Sequence, residues 1–143
     1  MLENINWWVV IGVSVLQIFI GSIWYGPIFG KFWMRLMGSA HMTKDEIKKA
    51  QKAMMPAYVV QFFVSTVMNV ALYVAVKTNS DGDLIADICA AIALWLGFVM
   101  PIQVGEVLWS KLSDRDKLKK LAVSGGQQII TMCIAAAIFS YWG

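Results

Sequence analysis

Charged residues are scarce in this sequence, and four long stretches contain none. Only 15% of the 143 residues are Asp, Glu, Lys or Arg, whereas an average soluble domain carries about 25%. The uncharged stretches are residues 4–30, 53–76, 88–105 and 121–143. A membrane-spanning helix needs about 20 mostly apolar residues, so each stretch is long enough, or nearly so, to cross a bilayer. The sequence therefore predicts an all-α membrane protein with four transmembrane helices in a single domain, residues 1–143.

Residues that commonly carry catalysis or bind metals are equally few. The chain has one histidine, His41, and two cysteines, Cys89 and Cys133, which both fall inside predicted spans. Their spacing fits no metal site, and the sequence contains no phosphate-binding loop. We therefore expect no enzymatic activity, no metal and no cofactor. The net charge of +3 is explained by two basic connections, so we also expect no nucleic-acid partner.

The basic residues lie almost entirely between helices 1 and 2 and between helices 3 and 4. The connection between helices 2 and 3 carries only Lys77, near Asp81 and Asp83. Cytoplasmic loops are enriched in Lys and Arg, so both basic connections are predicted to be cytoplasmic and both termini outside, in a bacterial inner membrane. The first apolar run follows Glu3 and is too long for a signal peptide, so we expect a retained helix. The basic residues are Lys31, Arg35, Lys44, Lys48, Lys49 and Lys52, then Lys111, Arg115, Lys117, Lys119 and Lys120.

Two segments near the predicted cytoplasmic ends of helices 1 and 3 resemble each other. Residues 27–36 read PIFGKFWMRL, and residues 101–112 read PIQVGEVLWSKL. Further along, Thr43 and Ser113 each precede an acidic residue at the spacing of a capping box. This shared order indicates a duplication. The alternative is that two unrelated cytoplasmic helix ends have each acquired Trp and Lys.

A duplication would make residues 1–78 and 79–143 two pseudo-repeated hairpins, related by an axis along the membrane normal as in some transporters. The alignment places Lys31 opposite Glu106. We predict that their charged ends approach within about 10 Å, the distance over which exposed charges still interact. A carboxylate inside a span indicates a functional site. The alternative for Glu106 is an ion pair with a nearby basic residue, or a side chain that extends to the interface.

Polar residues recur within the predicted spans. Helix 2 has Gln61, Ser65, Asn69 and Tyr73 at steps of four, which places them on one face of the helix. Polar groups within a bilayer must find partners inside the protein. They either join helices through hydrogen bonds worth about 0.6–2 kcal/mol each, or they line a small polar cavity. The residues assigned to such a cavity are Gln61, Asn69, Gln103 and Gln128.

The first basic connection is predicted to contain a short amphipathic helix on the cytoplasmic surface. It should run over residues 43–55, with Ile47, Ala50 and Met54 on its apolar side, and turn into helix 2 at Pro56. Its lysines would lie at anionic lipid headgroups.

One motif carries a family resemblance. The segment Trp24-Tyr25-Gly26-Pro27, followed by Gly30-Lys31 and Trp33, resembles the helix-1 signature of the family called domain of unknown function 1761, whose members are small integral membrane proteins with four spans. The resemblance implies the same fold and a membrane location, and it implies no activity. The matching signature positions are Trp24, Tyr25, Pro27, Gly30, Lys31 and Trp33.

These patterns predict that the protein binds or transports a small solute or ion in the membrane, without covalent chemistry. The site would lie between the repeats, with charge from Lys31 and Glu106 and hydrogen bonds from the amides. We expect the bilayer as its environment and a homo-oligomer as its assembly. The alternative is a structural or accessory subunit of a larger membrane complex. The residues assigned to the site are Glu106, Lys31, Gln103, Gln61, Asn69 and Gln128.

Overall fold

The computed structural model describes residues 4–79 and 82–143, and every regular element within these ranges is helical. Glu3 and Asp81, which entered the predictions above, lie outside the described residues. Two five-residue segments with π-helical hydrogen bonding, here called π turns, interrupt the α-helices. The elements are α1 Trp7–Ile23, the first π turn Trp24–Ile28, α2 Gly30–Leu36, α3 Lys44–Ala53, α4 Met55–Asn79, α5 Leu84–Leu94, the second π turn Trp95–Val99, α6 Met100–Leu108 and α7 Asp114–Trp142.

Four helical rods are long and apolar enough to cross a membrane. They comprise residues Trp7–Ile28, Met55–Thr78, Leu84–Leu108 and Asp114–Trp142. The first rod consists of α1 and the first π turn. The third rod consists of α5, the second π turn and α6. The prediction of an all-α fold with four membrane-spanning helices is confirmed in the described part of the chain.

Helix α7 is the centre of the bundle, because it packs against α1, α4, α5 and α6. Its core positions include Ala135, Ala136 and Phe139, each fully buried. Small residues such as alanine allow helix backbones to approach closely, which favours helix association within a bilayer. The bundle is therefore organised around the last helix of the chain.

The two π turns start with the same residue pattern. The first reads WYGPI and the second WLGFV, so each begins with Trp and has Gly in third place. In the first, the Phe29 N–H donates to the Trp24 carbonyl at 2.9 Å, five residues earlier. Pro27 lies inside this turn, and Pro101 directly follows the first residue of α6. Proline has no N–H for the regular bond to the carbonyl four residues back, which disturbs the α-helical ladder at both places.

The predicted cytoplasmic helix is α3, and its cap is formed as expected. The Thr43 N–H donates to Glu46 Oε2 at 2.7 Å, and the Glu46 N–H donates to Thr43 Oγ1 at 3.4 Å. Ile47 and Ala50 are its half-buried positions. In the second half of the chain the basic segment is part of α7 itself, which begins at Asp114 after its cap residue Ser113 and continues into the span. Pro56 follows the break after α3, and the corresponding part of α7 has no proline to interrupt it.

Candidate functional site

Helices α1 and α4 are joined by a buried cluster of polar side chains. Asn69 is fully buried, and its Nδ2 donates to Ser14 Oγ at 2.9 Å and to Gln17 Oε1 at 3.1 Å. The Gln17 Nε2 donates back to Asn69 Oδ1 at 3.2 Å, and the Ser14 hydroxyl donates to the Val10 carbonyl at 2.9 Å. Because these groups satisfy one another, Asn69 acts here as a connection between helices.

Gln61 lies on the same helix as Asn69 but in a different environment. Its side chain is exposed, and its Nε2 donates to Ser65 Oγ at 3.2 Å. Ser65 is buried at 6% exposure. The polar stripe predicted on this helix therefore passes from an exposed end at Gln61 to the buried contact at Asn69.

The two π-turn tryptophans pack on two adjacent glycines of α7. A Cβ added to Gly126 would lie 3.6 Å from Trp24 Cζ2. A Cβ added to Gly125 would lie 3.3 Å from Trp95 Cζ2 and 3.2 Å from Gln103 Oε1. The absence of side chains at these positions lets both indole rings approach the α7 backbone. The repeated Trp-x-Gly pattern was the sequence signal for this arrangement, and the sequence analysis did not use it.

The two indole N–H groups differ in their partners. Trp24 Nε1 donates to the backbone carbonyl of Val123 at 2.9 Å. Trp95 Nε1 is buried and has no hydrogen-bond partner within residues 4–79 and 82–143. The two tryptophans occupy corresponding positions in their π turns and pack on the same helix, α7, but their N–H groups have different surroundings.

Two glutamine oxygens, one on α6 and one on α7, are also buried without a partner among the described residues. Gln103 Oε1 and Gln128 Oε1 are buried and lack a hydrogen-bond partner in the described part of the chain. Gln103 meets Trp95 beside Gly125, and Gln128 lies three residues after Gly125, one turn along the same side of α7. The Gln103 side chain as a whole is only 9% exposed. We call Trp95, Gln103 and Gln128 the Trp95 cluster.

The cluster lies a short distance inside the apolar part of the bundle. Lys120 is the last charged residue of α7, five positions before Gly125, which is about 7.5 Å at 1.5 Å per residue. From Gly125 to the end of the chain at Gly143 the distance along the helix is about 27 Å. The cluster is therefore close to the end of the bundle that carries the basic residues.

Lys31 and Glu106 are both exposed, and neither forms an ion pair or hydrogen bond in the described part of the chain. An ion pair between the two predicted halves joins Arg35 NH2 to Asp116 Oδ1 at 2.9 Å instead. The π turns also suggest another register, in which Trp24 corresponds to Trp95. Lys31 is seven residues after Trp24, and the residue seven positions after Trp95 is Ile102. In this register Ile102, and not Glu106, corresponds to Lys31. The expected approach of Lys31 and Glu106 to about 10 Å stays a prediction.

The signature residues build the bend after α1. The rings of Tyr25 and Trp33 pack against each other at a tilt of 49°, with centroids 4.6 Å apart. Gly30 is buried, and a Cβ there would lie 3.1 Å from the Tyr25 carbonyl oxygen, so a larger residue would press on the backbone of the π turn. Pro27 is exposed inside that turn. These residues therefore shape the helix that positions Trp24.

Sequence reasoning also missed the buried carboxylate. It selected Glu106 as the acidic residue within a span, but the structure exposes Glu106 and buries Asp87, which is 1% exposed in the first turn of α5. Among the described residues no group of three His, Cys, Asp or Glu side chains is placed to hold a metal ion. A groove of about 330 Å³ lies at the far end of the bundle, beside Tyr73, Lys77 and Gly143.

Comparison with known proteins identifies a family. A family model described as "Protein of unknown function (DUF1761)" matches residues 8–140. No curated protein and no solved structure matches the chain. Because the family match covers almost the whole sequence, the chain belongs to the DUF1761 family, and the resemblance carried by the Trp24–Trp33 segment is confirmed.

Proposed function

For this member of the DUF1761 family, we propose that the protein binds a small solute or ion in the membrane, without covalent chemistry, at the Trp95 cluster. The observation that carries the proposal is a set of three buried polar atoms that have no hydrogen-bond partner among residues 4–79 and 82–143: Trp95 Nε1, Gln103 Oε1 and Gln128 Oε1. Leaving a buried donor or acceptor unpaired costs about 1–3 kcal/mol. Native structures contain few such groups, and a bound water, ion or solute commonly accounts for them.

The surroundings of the cluster support a binding role over a role in helix packing. The amides of Gln17 and Asn69 show how this protein joins helices, because they satisfy each other reciprocally. Gln103 of α6 lies beside Gly125 of α7, three residues before Gln128, and the two glutamines do not form such a pair. Their oxygens are therefore available to a ligand.

The position of the cluster favours access from the side of the basic loops, which we propose to be cytoplasmic. The ends of the chain would then lie outside, and the protein would be an integral component of a bacterial inner membrane. We also propose that residues 1–78 and 79–143 are duplicated halves. The two Trp-x-Gly π turns and the two side-chain caps at Thr43 and Ser113 support this.

A thermal-stability assay tests the proposed binding. A ligand that binds only the folded protein stabilises it by RT ln(1 + L/Kd), where L is the free ligand concentration, so the melting temperature rises with ligand concentration. The purified protein in detergent is heated with a panel of small polar solutes, monovalent cations and halides. The test variant is Gln103→Leu with Gln128→Leu, and the control is Gln61→Leu, because Gln61 is an exposed amide of another helix.

We expect at least one solute or ion to stabilise the wild type and the Gln61→Leu control, and to have no effect on the double variant. The double variant itself should fold, because leucine replaces side chains whose oxygens have no protein partner. If every compound in the panel affects wild type and double variant equally, the Trp95 cluster is not a binding site and the proposal is wrong.

A second candidate function is that of an accessory subunit in a larger membrane complex. The observation that favours it is the exposure of residues 51–61, which include the first seven residues of α4. The apolar side chains of Val59 and Val60 are more than half exposed there, as is that of Phe63 just beyond it, and another protein could cover them. Chemical cross-linking from a cysteine at position 60 would test this. A heterologous partner at defined stoichiometry supports the subunit role, and cross-links to lipid alone oppose it.

A further inference from the structure

We infer that the ligand of the Trp95 cluster is an uncharged solute of the primary-amide class, such as a small carboxamide or urea. This inference rests on the proposed function and narrows it. A primary amide has one carbonyl oxygen that accepts hydrogen bonds and an NH₂ group with two N–H donors. Three features of the structure point to it: the kinds of hydrogen-bonding atom in the cluster, the absence of charge among them, and the hydrogen bond that Trp24 makes to a backbone amide.

The first feature is the number of donors and acceptors. The Trp95 indole contributes one N–H, which can only donate, and the two Gln Oε1 atoms can only accept. Within the described residues none of the three has a partner. A ligand that satisfies all of them needs one acceptor and two donors. A primary amide supplies this set in a single plane.

The second feature is the neutrality of the cluster. Its three side chains carry no formal charge, and the charged residues once assigned to the site, Lys31 and Glu106, are exposed. A cation there would be repelled by the partial positive charge of the indole N–H. An anion would be repelled by the partial negative charges of the two carbonyl oxygens. An ion buried without a counter-charge is also costly to desolvate. An uncharged ligand avoids both penalties.

The third feature is the bond formed by the other π-turn tryptophan. The Trp24 N–H donates to the Val123 carbonyl at 2.9 Å, and that carbonyl is itself part of an amide. Trp24 lies on Gly126 as Trp95 lies on Gly125. The chain thus contains, one residue away on α7, an example of the indole-to-amide bond that we assign to Trp95 and its ligand.

The smallest members of the class are the probes of choice, because the atoms around Gly125 are closely packed. A single added Cβ at Gly125 would already approach Gln103 Oε1 to 3.2 Å and Trp95 to 3.3 Å. Formamide and acetamide, with three and four heavy atoms, are therefore the probes to use.

The test follows the indole N–H signals of the full chain by NMR. Protein labelled with ¹⁵N-tryptophan, in detergent micelles, is titrated with acetamide and in parallel with N,N-dimethylacetamide, which keeps the carbonyl and lacks both N–H donors. Trp95→Phe and Trp24→Phe assign the two signals. We expect acetamide to shift the Trp95 signal saturably and to leave the Trp24 signal in place, because Trp24 already has a partner.

The competing ligands and the variants complete the design. N,N-dimethylacetamide should bind about 10-fold more weakly, since it cannot donate to the two glutamines. The double variant Gln103→Leu/Gln128→Leu should bind acetamide more weakly by a similar factor. The Gln61→Leu variant should bind acetamide with unchanged affinity. An equal response to acetamide and its dimethyl analogue would overturn the amide class.

Two further results separate this inference from the proposed function. If glycerol, ammonium or another ion shifts the Trp95 signal and acetamide does not, the amide class is wrong and the binding site stands. If the Trp95 signal reports contact with water only, and no compound changes it, both the amide class and the proposed function are wrong.

Discussion

Gln17 and Asn69 form a reciprocal pair of hydrogen bonds between α1 and α4, with Gln17 Nε2 donating to Asn69 Oδ1 at 3.2 Å and Asn69 Nδ2 donating to Gln17 Oε1 at 3.1 Å. Both side chains are buried. Within a bilayer, lipid supplies no replacement for a lost partner. The pair is therefore the clearest place to measure what a polar contact contributes to this fold.

Asn69→Leu should lower the free energy of unfolding by about 1–3 kcal/mol, because it leaves the Gln17 amide buried without its partner. Thermal unfolding in detergent measures the loss. Gln61→Leu, at an exposed amide of the same helix, is the matched control and should change stability by less than about 0.5 kcal/mol. The double variant Gln17→Leu/Asn69→Leu should lose less than the sum of the single variants. Full additivity would show that the pair is not coupled.

The two π-turn tryptophans provide a second matched comparison. Trp24→Phe removes the hydrogen bond to the Val123 carbonyl and should cost about 1 kcal/mol for that bond, in addition to lost ring contacts. Trp95→Phe removes an N–H that has no partner in the described part of the chain. It should therefore cost less than Trp24→Phe in an unfolding measurement. An equal or larger loss for Trp95→Phe would mean that its N–H is already satisfied.

Adjacent glycines on α7 should respond differently to alanine. Alanine is favoured over glycine in a helix by about 1 kcal/mol, and at position 126 the new Cβ would be at an ordinary 3.6 Å from Trp24. At position 125 it would be 3.2 Å from Gln103 Oε1 and 3.3 Å from Trp95, so the site must adjust. Gly126→Ala is expected to be at least as stable as wild type, and Gly125→Ala less stable than Gly126→Ala. Melting temperatures in the reverse order would contradict this packing.

The cap of α3 should make this helix sensitive to acid. The backbone N–H of Thr43, and then its hydroxyl, donate to the Glu46 carboxylate and lower its pKa from 4.5. A folded-state pKa below the unfolded value gives a contribution that is present above the unfolded pKa and is lost as the pH falls through the folded one. The hydrogen-exchange protection factors of α3, which are corrected for the intrinsic pH dependence of exchange, should therefore fall below about pH 4.5.

Glu46→Gln is the control for this pH dependence. It keeps a group that can accept from the Thr43 N–H but does not titrate, so the acid-dependent part of the exchange should disappear. A change of equal size in wild type and variant would assign the acid effect to another group.

Cysteine labelling tests the proposed orientation. In a background with Cys89→Ser and Cys133→Ser, a cysteine at position 49 of α3 should react with a membrane-impermeant maleimide only after cells are opened. A cysteine at position 6, just before α1, should react in intact cells. The opposite pattern would place the basic loops outside and reverse the orientation derived from them.

Sequence patterns were sufficient for the architecture because they depend on local properties. The uncharged stretches are long enough for spans, and their positions agree with the four apolar rods. Capping at Thr43 and Ser113 was also predictable, since the partners lie three residues away on the same helix. In the second half no proline follows the basic residues, and α7 continues unbroken from the basic segment into the span.

The candidate site required the tertiary structure. From spacing alone, Asn69, Gln103 and Gln128 all fit one polar cavity, because periodicity tells which face and depth a side chain has and not which neighbour it meets. The structure gives Asn69 its partners on α1 and leaves the oxygens of the two glutamines without any within the described residues. Aligning the two halves at Pro27 and Pro101 paired Lys31 with Glu106. The π turns instead align the halves at Trp24 and Trp95, which does not pair these two charged residues.

The sequence by itself determined that this chain forms four apolar helices and which end of the bundle is basic, since these follow from hydropathy and charge. Only the tertiary structure decided that Asp87 is buried and Glu106 exposed, and that the Trp24 N–H is satisfied while that of Trp95 is not. The physical reason is that the free energy of a buried polar group depends on atoms from other helices. Those contacts arise when α7 packs in the centre of the bundle.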